Sequence, residues 1–102
     1  MPYHIVFSPE ADAQLIDIYR YIAGEASPAT AERFTAAIVD YCEGFEAFPE
    51  RGTRRDDLRP GLRIVGFRKR VTIAFAVDED IVMIIGIFYG GRDFETALKT
   101  ED

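Results

Sequence analysis

Residues 7–28 read FSPEADAQLIDIYRYIAGEASP, and this stretch decides the fold because it contains two helix starts and one helix face. Two Ser-Pro pairs, beginning at Ser8 and Ser27, each place a capping serine before a proline that suits the first helical turn. Apolar residues between them recur every three or four positions, which predicts a first helix from Pro9 to Gly24. The connection that follows is short, so the sequence predicts a hairpin of two antiparallel helices.

The second helix is predicted to run from the second Ser-Pro pair to Pro49. Five apolar residues follow each other along it at 4-3-4-3 spacing: Phe34, Ile38, Tyr41, Phe45 and Phe48. One helical face explains this spacing, so we expect the four aromatic rings in the core rather than stacked on nucleic-acid bases. Cys42, beside this stripe, is expected to be a small buried hydrophobic residue rather than a nucleophile.

Strand-like segments lie on both sides of the helical hairpin. They are residues 3–7, 62–67, 68–77 and 81–88, with a polar loop over 50–61 and a short terminal helix over 92–99. The order β-α-α-β-β-β(-α) predicts an α+β domain spanning 1–102, with the helical hairpin packed on a largely antiparallel four-stranded sheet. The first strand has no hairpin partner, so we expect it to join the sheet at long range.

The composition excludes several classes of protein. With 102 residues, 48% of them apolar and 29% charged, the chain is expected to fold as one globular domain. A single cysteine excludes an internal disulfide, and with only one histidine beside it no structural zinc site can be assembled. The longest apolar run is too short for a bilayer and no secretory signal is visible, so we expect a cytoplasmic protein without a cofactor.

Charge is divided unevenly along the chain, whose formal net charge is −6. Residues 1–50 hold two basic and nine acidic residues, a net charge of −7. Residues 51–70 hold eight basic residues against two acidic ones, a net charge of +6. The overall negative charge argues against indiscriminate nucleic-acid binding, whereas the basic segment indicates a local site for anions.

The chain resembles the ParE branch of the ParE/RelE toxin superfamily, the toxins of bacterial type II toxin–antitoxin systems, which include plasmid stabilisation proteins. Six segments carry the resemblance in the expected order: residues 7–11, 15–23, 31–34, 48–52, 61–63 and 87–94. The resemblance implies a toxin that needs no cofactor and that a cognate ParD-like antitoxin neutralises. In the ParE branch the implied target is DNA gyrase, and in the RelE branch it is messenger RNA cut on the ribosome.

The residue types favour a binding surface over a catalytic one. Residues expected to bind the target or the antitoxin are Arg54, Arg59, Arg63, Arg68, Arg70 and Arg92, of which Arg63 matches the Gly-Leu-Arg step of the superfamily. RNA cleavage would need an acid, a base and cations, for which Tyr89, Arg63 and Arg92 are the candidates. A good base is missing, because His4 is expected on the surface of an edge strand and Tyr89 stands where many members carry a histidine.

The sequence therefore leaves three possible functions open. The first is an inhibitor of DNA gyrase, which touches DNA only indirectly through the antitoxin and requires no catalytic residues. The second is a ribosome-dependent endoribonuclease of the RelE type. The third is a chain that has lost its toxicity and remains only a structural partner of its antitoxin.

Overall fold

Both helices begin where the serines predict. The computed structural model describes residues 3–91 and 93–99. In it α1 spans Pro9–Glu25 and α2 spans Pro28–Glu43. The Ser8 hydroxyl accepts a hydrogen bond from the Ala11 N–H at 3.0 Å, and the Ser27 hydroxyl accepts one from the Thr30 N–H at 3.1 Å. Each serine thus satisfies an N–H group that has no partner inside the helix.

The end of α2 differs from the prediction. The helix stops at Glu43, and a short 3₁₀ turn, Gly44–Glu46, follows it. Phe45 is fully buried, but Phe48 is 68% exposed, so the prediction that Phe48 belongs to the core is wrong. A 3₁₀ turn has three residues per turn and ends here after one turn, so the helical spacing from Phe45 to Phe48 no longer defines one face.

The sheet has five strands rather than the predicted four, in the order β1-β5-β4-β3-β2. These strands are β1 (His4–Phe7), β2 (Thr53–Arg54), β3 (Leu62–Phe67), β4 (Val71–Asp78) and β5 (Ile81–Tyr89). β1 pairs in parallel with β5, and the other neighbours are antiparallel. The α+β class, the largely antiparallel sheet and the long-range pairing of the first strand are confirmed.

The additional strand, β2, has only two residues, too few for an alternating pattern in the sequence. Gly52 lets it approach β3, since its φ is +76° and a Cβ atom there would collide with the Ile64 carbonyl group. The predicted strand over residues 68–77 also starts later, at Val71. Arg68 and Lys69 have φ values of 52° and 60°, which reverse the chain instead of extending it.

The sheet buries apolar side chains on both faces. The helical hairpin covers one face, where the large buried residues include Ile38, Phe45, Ile73, Phe75 and Ile84. On the other face a smaller cluster lies beneath the loop that follows β2 and the terminal helix α3 (Phe94–Leu98). Its buried members are Leu58, Leu62, Ala74, Phe88 and Leu98.

β5 is irregular where α1 meets it. Ala74 pairs with Gly86 and Phe75 pairs with Ile84, so one extra residue, Ile85, bulges from the strand. The Ser8 hydroxyl donates to the Ile85 carbonyl oxygen at 2.9 Å. The Gln14 Oε1 atom accepts from the Ile87 N–H at 2.7 Å. The side chains of Ser8 and Gln14 thus form hydrogen bonds with backbone groups of β5 that lie beyond Ile84, the last residue of β5 that pairs with β1.

We expect Ser8→Ala to lower the free energy of unfolding by about 2 kcal/mol, and Ser27→Ala by about 1 kcal/mol. Both variants lose a helix cap, but only Ser8→Ala also removes the hydrogen bond to the bulged strand. Urea denaturation monitored by circular dichroism measures both values. Equal losses would show that the Ser8 contact with Ile85 adds nothing beyond capping.

Candidate functional site

The turn between β3 and β4 carries three consecutive exposed cations, Arg68, Lys69 and Arg70, which we call the hairpin tip. The Gly90 N–H donates to the Arg70 carbonyl oxygen at 2.7 Å, so the tip lies beside the end of β5. Tyr89 is the last residue of β5. Three of the predicted site residues, Arg68, Arg70 and Tyr89, therefore lie at one end of the sheet.

The Tyr89 ring packs among other aromatic rings. Its centroid lies 5.7 Å from that of Tyr21, which is 55% exposed, and 5.8 Å from that of Phe34 in an edge-to-face arrangement. Tyr89 itself is half-buried. These contacts give the ring a packing role between the helical hairpin and the sheet.

His4 lies far from Tyr89. It is exposed on the edge strand β1, as expected, and pairs with Ile81 at the opposite end of β5. Tyr89 lies eight positions after Ile81 along the extended strand, which corresponds to roughly 26 Å. The imidazole of His4 and the phenol of Tyr89 therefore cannot act on one substrate atom.

Tyr89 also lines an open cleft of about 740 Å³ between α1, the end of β5 and α3. Two carboxylates line this cleft, Asp17 on α1 and Asp93 before α3. Hydrogen bonds from the hydroxyl and N–H groups of Thr96 lower the pKa of Asp93, which caps α3 as an ionised group. The cleft therefore offers negative charge, whereas the neighbouring hairpin tip offers positive charge.

Arg63 lies at the other end of β3 and forms a second site with Arg51, which we call the edge pair. The Arg63 Nη1 atom donates to the Arg51 carbonyl oxygen at 3.3 Å. The Arg51 guanidinium lies 5.4 Å from the ring centroid of Tyr41 and 5.1 Å from that of Phe45. Its Nε atom is buried without a hydrogen-bond partner among the described residues. Arg51 was not among the predicted site residues, although segment 48–52 contains it.

Two other predicted site residues, Arg54 and Arg59, and their neighbour Arg55, which was not predicted, bond to groups of the same chain. Arg54 pairs with Asp56 at 3.0 Å, and Arg59 donates from Nε to the Leu98 carbonyl oxygen at 3.2 Å. Arg55 pairs with Asp57 at 2.9 Å and with Glu95 of α3 at 2.5 Å.

These bonds also affect the acids, since the Gly61 N–H and Arg54 lower the pKa of Asp56 and Arg55 lowers that of Asp57. The basic segment is therefore partly neutralised by its own carboxylates. Arg92, another predicted site residue, lies outside the described residues.

A shallow apolar groove runs between the outer faces of α1 and α2. Its lining includes Leu15, Ile16 and Tyr19 of α1, and Ala36 and Val39 of α2. Ile16 is 52% exposed and Tyr19 is 36% exposed. These contiguous exposed apolar side chains make the groove a candidate surface for a partner.

Cys42 is fully buried, as predicted, and burial with a contribution from Glu43 raises the pKa of its thiol to about 12. Asp78, Glu79 and Asp80 are exposed at the turn from β4 to β5. In residues 3–91 and 93–99 no group of three or more His, Cys, Asp or Glu side chains is arranged to hold a metal ion. No helix of that same part of the chain is long and apolar enough to cross a membrane.

Comparison with known proteins gives the family. The family model described as ParE toxin of type II toxin-antitoxin system, parDE, matches residues 5–94. The chain belongs to the ParE toxin family. Among curated proteins, none is significantly similar in sequence to this ParE-family chain.

Solved structures share the fold of this chain. A chain of the chromosomal ParDE toxin–antitoxin system from P. aeruginosa matches with a TM-score of 0.76 and 20% identity, over 86% of this chain and 96% of that one. A chain of the toxin–antitoxin complex RelBE2 from Mycobacterium tuberculosis matches with a TM-score of 0.59 and 19% identity, over 87% and 99% of the two chains. At these identities the matches show a shared fold.

The Cys42 thiol is expected to resist alkylation in this ParE-family toxin. At pH 8 iodoacetamide should modify the folded chain on the order of 1000-fold more slowly than the urea-unfolded chain, because the thiolate is the reactive species. Mass spectrometry of timed samples gives both rates. Comparable rates would show that the thiol is accessible and ionised.

Proposed function

We propose that this toxin inhibits DNA gyrase in the cytoplasm and that a cognate ParD-like antitoxin neutralises it. Membership of the ParE family supports the proposal. The placement of Tyr89 favours gyrase inhibition over RNA cleavage. Its ring is packed against Tyr21 and Phe34, and the histidine lies at the far end of the strand. A toxin that works by binding a protein target needs no acid–base pair at that position.

The antitoxin contact is proposed to combine apolar and charged parts. The groove between α1 and α2 offers exposed aliphatic and aromatic side chains, which suit the apolar anchors of a segment that folds on binding. Arg63 has no carboxylate partner within residues 3–91 and 93–99, so an acidic group of the antitoxin can pair with it. Proteins of the same fold are known from ParDE and RelBE2 toxin–antitoxin systems.

The test of the target is a gyrase supercoiling and DNA-cleavage assay with the purified toxin. We expect loss of supercoiling with accumulation of broken DNA, and reversal of both effects when the antitoxin is added. A preparation that arrests growth but leaves gyrase unaffected would contradict the proposal and direct attention to the ribosome.

Arg63→Glu is expected to weaken antitoxin binding at least tenfold, because it replaces an attractive charge by a repulsive one. Lys99→Glu makes the opposite charge at an exposed position beyond α3 and serves as the matched control. Isothermal titration calorimetry measures both affinities, and circular dichroism confirms the fold of each variant. Equal affinities of Arg63→Glu and the unchanged toxin would remove Arg63 from the antitoxin surface.

Tyr89→Phe distinguishes the two branches, since it removes one hydroxyl group and keeps the aromatic packing. We expect growth arrest and gyrase inhibition to remain within about twofold of the unchanged toxin. If Tyr89 is instead the proton donor of a nuclease, the variant loses messenger RNA cleavage and toxicity by about 10²-fold or more. Primer extension on messenger RNA from arrested cells reports this cleavage directly.

A further inference from the structure

The backbone of the hairpin tip is strained in a way that its residue types do not explain. Arg68 and Lys69 have φ values of 52° and 60°, as in turns whose two central residues both have positive φ. Asn-Gly is the usual pair for such turns, because asparagine and glycine adopt this conformation with little cost. The described part of the chain places glycine at three other left-handed positions, Gly52, Gly61 and Gly90, and a single charged residue at a fourth, Glu79 with a φ of 54°, so what sets the tip apart is two such residues in succession. Two consecutive cations at a strained turn therefore point to a function of those side chains.

The charges of the tip are also left without internal partners. No carboxylate lies within ion-pair distance of Arg68, Lys69 or Arg70 among the residues that the structure describes. The Arg68 guanidinium instead lies over the Phe67 ring, 4.9 Å from its centroid. Arg54, in contrast, is paired with a neighbouring carboxylate. The tip thus presents three adjacent positive charges to solvent.

The surroundings of the tip suit a phosphate backbone better than an acidic peptide. Phe67 and Val71 on either side are buried and Gly66 carries no side chain, so the tip has no aliphatic groove for peptide anchors. The apolar groove lies elsewhere, on the outer faces of α1 and α2. Phosphate contacts require only charge and the fork geometry of arginine. Tyr21, exposed beside Tyr89, places an aromatic ring at the end of β5 that adjoins the tip, and aromatic rings accompany cations on nucleic-acid surfaces. The carboxylates of Asp17 and Asp93 line the cleft that these two tyrosines share, so a phosphate would contact the tip and not the cleft.

We propose that the hairpin tip binds the phosphate backbone of a nucleic acid. The net charge of −6 keeps this contact weak for the toxin alone, so it operates together with the protein contacts to the target. The proposed function determines which nucleic acid is bound, and in that respect the inference rests on it. Inhibition of gyrase implies duplex DNA, which the toxin then contacts directly and not only through the antitoxin as the sequence analysis expected. Action on the ribosome implies RNA.

The experiment measures fluorescence anisotropy of a labelled 20-base-pair DNA duplex and of a labelled RNA hairpin against the toxin at several salt concentrations. Two or three phosphate contacts give a slope of log K against log salt of about −2 to −3. Arg68→Asn/Lys69→Gly and Arg68→Gln/Lys69→Gln each remove two tip charges. Both variants should bind at least tenfold more weakly, and their salt dependence should be shallower, with a slope smaller in magnitude by about 2. Arg33→Gln/Lys99→Gln makes the same change of charge at exposed positions elsewhere and should bind nearly as the unchanged toxin does.

Thermal unfolding tests the strain separately. Both tip variants lose the contact of Arg68 with Phe67, but only the Asn-Gly variant relieves the backbone. Its Tm should exceed that of the Gln-Gln variant by about 3–6 °C. Calorimetric titration with the antitoxin should give the same affinity for both variants as for the unchanged toxin.

Several results would overturn the inference. These are binding of neither nucleic acid at low salt, an equal loss of affinity in the Arg33/Lys99 control, equal Tm values of the two tip variants, and a tenfold loss of antitoxin affinity in both. If the toxin binds the DNA duplex but does not inhibit gyrase, the proposed phosphate contact of the tip is supported and gyrase is excluded as the target. Preference for the RNA hairpin would likewise keep the phosphate contact and favour the ribosome.

Discussion

The contact between the start of α1 and the bulged part of β5 determines where the other elements can lie. The Ser8 hydroxyl caps the helix and at the same time binds the Ile85 carbonyl group, while Gln14, on the same helix, binds the Ile87 N–H. These bonds satisfy β5 backbone groups past the last residue paired with β1. They also bring Tyr21, further along α1, to the end of β5, where its ring meets Tyr89. The hairpin tip lies beside the same end of β5, so this contact helps to arrange the proposed functional surface.

Local signals in the sequence predicted much of the architecture. The Ser-Pro pairs gave both helix starts, and the alternation from Val71 to Val77 gave the central strand, because capping and side-chain periodicity are properties of neighbouring residues. The two-residue β2 had no detectable pattern and depends on the approach that Gly52 allows. Phe48 left the core because a 3₁₀ turn replaced the last helical turns. That change depends on how the chain leaves the hairpin, which spacing alone does not encode.

The sequence also could not predict which arginines of the candidate site are free to bind a partner. The sequence grouped them by proximity along the chain, but the fold separates them by their partners. Arg54 and Arg59 bond to groups of this chain, Arg63 lies against the Arg51 carbonyl group, and the tip cations face solvent. Charge density in a sequence predicts where anions are attracted, whereas pairing within the fold determines which cations are free to bind them. The antitoxin surface and the nucleic-acid surface proposed here are distinguished on that basis.

The parallel pairing of β1 with β5 has a consequence for how the chain acquires its structure. Ser8 and Ile85, which are hydrogen-bonded, are 77 positions apart in the sequence. A pairing of this kind forms only after a large loop has closed, and the loss of chain entropy makes such folds slow to form. The helical hairpin can form early from local contacts, but the sheet that completes its core requires β5. During synthesis the toxin therefore gains its folded surface late, and an antitoxin already present can bind that surface when it first appears.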